Sequence, residues 1–292
     1  MTKMSDKQIK LNRIENNFKN FMNKRGLNDN NISEVDLKEF VIDNLSSINR
    51  SAFYNQLSIF KSLLDDKHIP YKLEEKDLVE ECVYFDNSKY FKKTQILDML
   101  NLLINAQDKL MIYLIFSGIL GKGYKELINI KVSDVAKDYT YINVNGNRIL
   151  CDDIMKELLK DTMEQEVYVQ TTKSGNTMYY DFNMNNEFLF KPIISRTNNN
   201  GLDAYNRNGI TRKLLRLTEE LQHEGLNVVI SATGLFQSGI MHKLFVFSIL
   251  NNLECTISNV ENYLKINGYR INANEFTLKY HQLYYGCNST KS

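Results

Sequence analysis

The run from Leu110 to Leu120, broken only at Ser117-Gly118, constrains the fold more than any other stretch. A bilayer crossing takes roughly 20 apolar residues, so this run, flanked by Asp108 and Lys109, predicts a helix buried in a globular core. A glycine-rich turn follows through Gly121 and Gly123. A short amphipathic helix then carries Glu126 and Leu127, and a strand is expected to begin near Val135.

Around that spine the chain reads as mainly α with a small β-sheet. Its 292 residues can bury a sizeable core and divide into two domains. Two prolines, Pro70 and Pro192, are few for this length and favour helix. With 43% apolar and 24% charged residues the chain is not disordered, and a net charge of +1 gives no global mark of a polyanionic partner. Cys82, Cys151, Cys255 and Cys287 are far apart, which argues against a zinc site and for free thiols in a reducing cytosol. No apolar leader opens the sequence, and cytoplasmic residence is the expectation.

Helical spacing of Ile14, Phe18 and Met22, of Leu37, Phe40 and Val41 after a capping Ser33, and of Phe53, Leu57, Phe60 and Leu64 gives an N-terminal helical unit over residues 1–86. Ser47 to Asn49 are read as the cap of its third helix. A short acidic helix follows Pro70. Composition changes at Asp86-Asn87-Ser88-Lys89, where a second unit, 87–292, begins. Within it, Asn145-Gly146 marks one hairpin and residues 173–176 the turn of another. Ile210, Leu214, Leu217 and Leu221 form a helix stripe, with Arg212, Lys213 and Arg216 placed on other faces. Arg196 and Arg207 are read as lying in an asparagine-rich loop.

Three features resemble the entrance to the catalytic domain of tyrosine recombinases, the phage integrases. They are Ser117-Gly118 ending the apolar helix, Glu126-Leu127 in the helix after it, and the exit Ile130-Lys131-Val132-Ser133-Asp134-Val135. The resemblance implies a two-domain architecture, a helical core-binding domain followed by a catalytic-like α+β domain, and double-stranded DNA as partner. It also implies where the chemistry should be. In that family an arginine sits three residues before the glutamate, where this chain has Gly123, and residues 119–121 enlarge the turn. The histidine and arginine of the second box fall on Thr233 and Phe236. Residues 264–271 contain neither histidine nor tryptophan. Tyr280 falls near the nucleophile's place, but one of 17 tyrosines landing there carries little weight. His242 and Lys243, candidates to rescue the missing charges, lie two helical turns too far along.

Phosphoryl transfer by a tyrosine hydroxyl needs cations on the non-bridging oxygens, and each such group typically contributes several kcal/mol. With Gly123, Thr233 and Phe236 in those positions, the expectation is a retained fold without cleavage and without cofactor or metal. That pattern resembles the recombinase-fold master repressors of temperate phages, which implies binding at operator sites to maintain lysogeny. The candidate DNA-binding residues are Asn49, Arg50, Lys61, Lys122, Lys125, Lys173, Arg207, Arg212, Lys213 and Arg216, since phosphate contacts need only cations and backbone amides. Lys191 belongs to the same basic segment. Two other readings stay open: a divergent active recombinase using Tyr280, and a module working through a protein antagonist or self-association.

Overall fold

The computed structural model describes residues 6–46, 50–75, 78, 88–171, 176–194 and 201–286, and the chain divides into two compact units, Met1–Asp86 and Asn87–Ser292. The first unit packs α1 (Asp6–Arg25), α2 (Glu34–Leu45) and α3 (Arg50–Asp66). Ser33 caps α2 as its sequence signals: its Oγ accepts from the Asp36 amide, and Asp36 accepts from the Ser33 amide in return. Phe18, Phe40 and Phe60 meet at the centre with ring centroids 4.7–5.1 Å apart. The acidic segment after Pro70 is described only at residues 71–75 and 78, and the expected capping residues Ser47 to Asn49 lie outside the described residues.

The second unit opens with α4 (Lys93–Leu102) and α5 (Ala106–Phe116). From Leu110 to Phe116 no face of α5 reaches solvent, so its apolar run is continuous rather than striped. The helix stops at Phe116, earlier than the apolar run, because Gly118 turns to a φ of +102°. After the turn come α6 (Lys125–Ile128) and, in place of the strand expected at Val135, a 3₁₀ turn over Val132–Asp134. The strand begins later, as β1 (Tyr141–Val144), which pairs with β2 (Asn147–Leu150) across Asn145-Gly146. Both turn residues have positive φ, as a two-residue hairpin requires.

Next come α7 (Asp153–Glu164) and the hairpin β3 (Val167–Thr171) with β4 (Thr177–Asp181). Then follow α8 (Arg207–His223), α9 (Ala232–Leu250), α10 (Ile257–Ile266) and α11 (Ala273–Tyr285). The two described sheets are both two-stranded, so the unit is mainly α with small β elements. Its order comes from α5 and α9. A Cβ at Gly239 would fall 1.6 Å from the Phe116 carbonyl oxygen, so glycine lets the two backbones touch. One residue earlier, buried Ser238 accepts from the Phe91 amide and donates to the Gly234 carbonyl.

At the opposite end of α5 the contacts are polar. Asn105 pairs both its amide groups with the backbone of Val169 at 2.8 Å, acting as a one-residue strand partner for β3. Gln107 pairs in the same way with the backbone of Lys191. Buried side-chain amides here pair with backbone groups that the β3–β4 ladder leaves open at Val169 and with those of Lys191.

Candidate nucleic-acid interface

The glycine turn is a rigid mount for two lysines. Gly121 and Gly123 have φ of +70° and +66°, and Tyr124 itself is left-handed at +67°. A Cβ at Gly121 would come within 2.9 Å of the Glu126 amide nitrogen, so glycine is required there. Lys122 and Lys125 are exposed on either side of Tyr124. Arg207 stacks its guanidinium over the Tyr124 ring at 5.7 Å. Arg207 is therefore not a loop residue. It opens α8, one residue after Asn206, whose side chain accepts from the Gly209 amide as the cap. The fold thus gathers Lys122, Lys125 and Arg207, which lie far apart in sequence, and leaves Arg212 exposed further along α8.

Lys213, read from the sequence as a surface cation, is a correction. It is 5% exposed and pairs with Asp108 of α5 at 2.6 Å, beneath the Tyr168 ring at 4.4 Å and 3.3 Å from the Tyr205 hydroxyl. Its place in the chain explains the burial, since Lys213 is three residues after Ile210 and four before Leu217 and so falls on the apolar stripe. Burial alone would push the ammonium down, but Asp108 beside it and the Tyr205 phenol hold it above the usual lysine value. Arg216 is also drawn inward. It donates to the Tyr168 hydroxyl and, at 3.3 Å, to Gln170.

Lys191 is buried as well, and that burial lowers its pKa. Lys61 is engaged with Glu75 at 3.4 Å. Asn49, Lys173 and Arg196 lie outside the described residues, as does the side chain of Arg50, the first residue of α3. The sequence reading passed over Asp108 and Tyr168. The available signal was a carboxylate at the head of an otherwise apolar helix, facing a lysine on an apolar stripe.

The positions where recombinase chemistry would sit hold different contacts. Thr233 is exposed in the first turn of α9, and Phe236 packs edge-to-face on Tyr269 at 6.2 Å. Tyr280 is not with them. Its hydroxyl lies 3.4 Å from Ser248 Oγ, 12 residues and so about 18 Å along α9 from Phe236. The ring is fully buried, and burial, followed by contact with Cys255, raises its pKa far above that of a free phenol. A nucleophile needs the opposite environment. His242 stacks on Phe116 and is pushed below its usual pKa, first by burial and then by Lys93 and Lys243. Lys243 donates to the Ser117 carbonyl at 2.8 Å and so caps the end of α5. Among the described residues no group of three or more His, Cys, Asp or Glu side chains could hold a metal ion, and no helix is long and apolar enough to cross a membrane.

The family model described as "MrpR, C-terminal catalytic domain" matches residues 90–247, just over half of the chain. The chain belongs to the MrpR family. The MrpR match contains Gly123, Thr233 and Phe236 and stops short of Tyr280. No curated protein sequence matches the chain. Solved structures align along most of it at low identity. The crystal structure of XerA recombinase shares 13% identity over 96% of this chain and 88% of its own, with a TM-score of 0.43. XerH site-specific recombinase, in a pre-cleavage complex with its difH substrate, shares 16% over 86% and 67%, with a TM-score of 0.39. A lambda integrase dimer bound to a COC′ core site shares 11% over 94% and 90%, with a TM-score of 0.38.

Proposed function

We propose that this MrpR-family chain binds double-stranded DNA without cutting it and acts as a transcriptional repressor of a prophage, holding operator sites to maintain lysogeny. The observation that carries the reading is a division of labour. Lys122, Lys125 and Arg207 stand exposed around one rigid turn, while the Tyr280 hydroxyl is buried about 18 Å along α9 from the nearest degenerate catalytic position. Phosphate contacts need only exposed cations, whereas cleavage needs cations and nucleophile at one phosphate. The first requirement is met by the geometry of the turn. Burial of the Tyr280 hydroxyl beside Ser248 speaks against the second.

The test joins partner and chemistry in one reaction. The full chain is footprinted on DNA flanking its own gene, with a duplex nicked beside the protected site as a trap for covalent intermediates. Protection without a covalent adduct is the expected result. An adduct that disappears in Tyr280→Phe would establish the divergent recombinase instead, and absence of any protection would remove the repressor reading.

A further inference from the structure

The β3–β4 ribbon has a weak claim to a fixed orientation. Beyond a single bridge from Phe182 to Ile193 at its end it pairs with no third described strand, and a two-stranded ribbon is marginal in water. Both faces of β4 are open, with Tyr179 70% exposed on one and Met178 44% exposed on the other. Two side chains tie it down: Asn105, paired with the Val169 backbone at 2.8 Å, and Tyr168, which is 1% exposed and packs edge-to-face against Phe182 at 6.0 Å. The Tyr168 hydroxyl donates to Asp108 Oδ2 at 2.6 Å and accepts from Arg216. The other carboxylate oxygen of Asp108 takes Lys213. Three elements, α5, β3 and α8, therefore meet on one carboxylate.

We propose that the Asp108–Lys213 pair, bridged through Tyr168 to Arg216, is a latch that fixes the tilt of the β3–β4 ribbon, and that this tilt sets how tightly the chain holds DNA. Lys213 and Arg216 are then positioning residues that touch no phosphate. The second half of the proposal rests on the DNA-binding reading above; the first does not. Both buried charges are costly to desolvate, and an apolar pair of similar volume often serves stability equally well. Their contribution is directional. Asp108 Oδ2 accepts a directed hydrogen bond from Tyr168 while Oδ1 holds the Lys213 ammonium at 2.6 Å, whereas an apolar contact would let the ribbon slide.

The pairing also shows how to test it. Removing one charge strands the other in the core, so the decisive variant removes both: Asp108→Leu with Lys213→Met. Tyr168→Phe is the milder second variant, keeping the ring and the ion pair and deleting only the bridge. Three quantities are read on the full chain: the thermal midpoint, hydrogen exchange of the ribbon against that of α5 and α8, and affinity for a labelled mixed-sequence duplex at low salt.

For the double variant the expected result is a midpoint near wild type. Exchange is faster by roughly tenfold in residues 167–171 and 177–181 alone, and the duplex is bound several-fold more weakly. Tyr168→Phe moves exchange and affinity the same way by less. Ribbon exchange at the wild-type rate in both variants would overturn the latch, and faster exchange with unchanged affinity would overturn its role in binding. If the wild-type chain holds no duplex, the DNA reading fails, while the exchange comparison still decides whether the network fixes the ribbon.

Discussion

The two ends of the basic stretch Arg207–Arg216 in α8 carry the same charge and use it in opposite ways. At its start Arg207 is exposed, stacked on Tyr124 beside Lys122 and Lys125. Two turns on, Lys213 is buried against Asp108, and Arg216 is bound to Tyr168. A count of basic residues treats these ends alike. Their environments do not, because an exposed cation keeps its hydration and is available to a phosphate, whereas a buried one is already matched to a carboxylate.

The sharpest way to break this comparison is at the buried end. Lys213→Ala leaves Asp108 uncompensated in the core and is expected to cost about 3–5 kcal/mol, read as a lowered unfolding midpoint. A loss below about 0.5 kcal/mol would mean that Lys213 is a surface residue after all. At the exposed end the prediction reverses. Replacing Lys122, Lys125 and Arg207 together with alanine should leave the midpoint nearly unchanged. The slope of log affinity against log salt should fall by roughly 0.9 for each phosphate that is no longer neutralised, up to about 2.7 for all three. An unchanged slope would show that the turn does not face DNA.

Smaller effects sharpen the contrast. Tyr280→Phe removes the hydroxyl's contacts with Ser248 and Cys255, so its stability cost should be about 1–2 kcal/mol, with duplex binding unaltered. Asp152 calibrates the acid side. Burial pushes its carboxyl up, but hydrogen bonds from the Tyr113 hydroxyl and the Met155 amide, with Lys93 nearby, outweigh that and hold it below the usual aspartate value. A depressed carboxylate stabilises fully above its unfolded pKa and loses that contribution as pH falls through the folded one. The difference between wild type and Asp152→Asn should therefore be present at neutral pH and vanish in strong acid. Because Asp152 is partly exposed, it should stay under about 1 kcal/mol.

Much of the scaffold is legible in the chain because its signals are local. The apolar run announces α5, Ser33 and Asp36 announce the start of α2, and Asn145-Gly146 announces the β1–β2 turn. The candidate interface was legible only in part. Lys122 and Lys125 sit on a turn that two glycines declare, but their meeting with Arg207 is a tertiary contact between segments about 80 residues apart, and helical periodicity is silent on such contacts. Lys213 was misplaced for the converse reason. Lysine is so rarely buried that its type outweighed its position on the stripe, although Asp108 already stood in the buried helix. Tyr280 falls near the family's nucleophile in sequence, but the chain from Phe236 to α11 first runs the length of α9, and the Tyr280 hydroxyl meets Ser248 near that helix's far end.

The contact between Gly239 and the Phe116 carbonyl has a bearing on ancestry. Side chains that face solvent can drift one at a time, but a methyl group at position 239 would prise the two central helices apart in a single step. Relatives that share this scaffold should carry a glycine there, with a small residue just before it, whatever their chemistry. That pair marks common descent more durably than any residue a reaction requires.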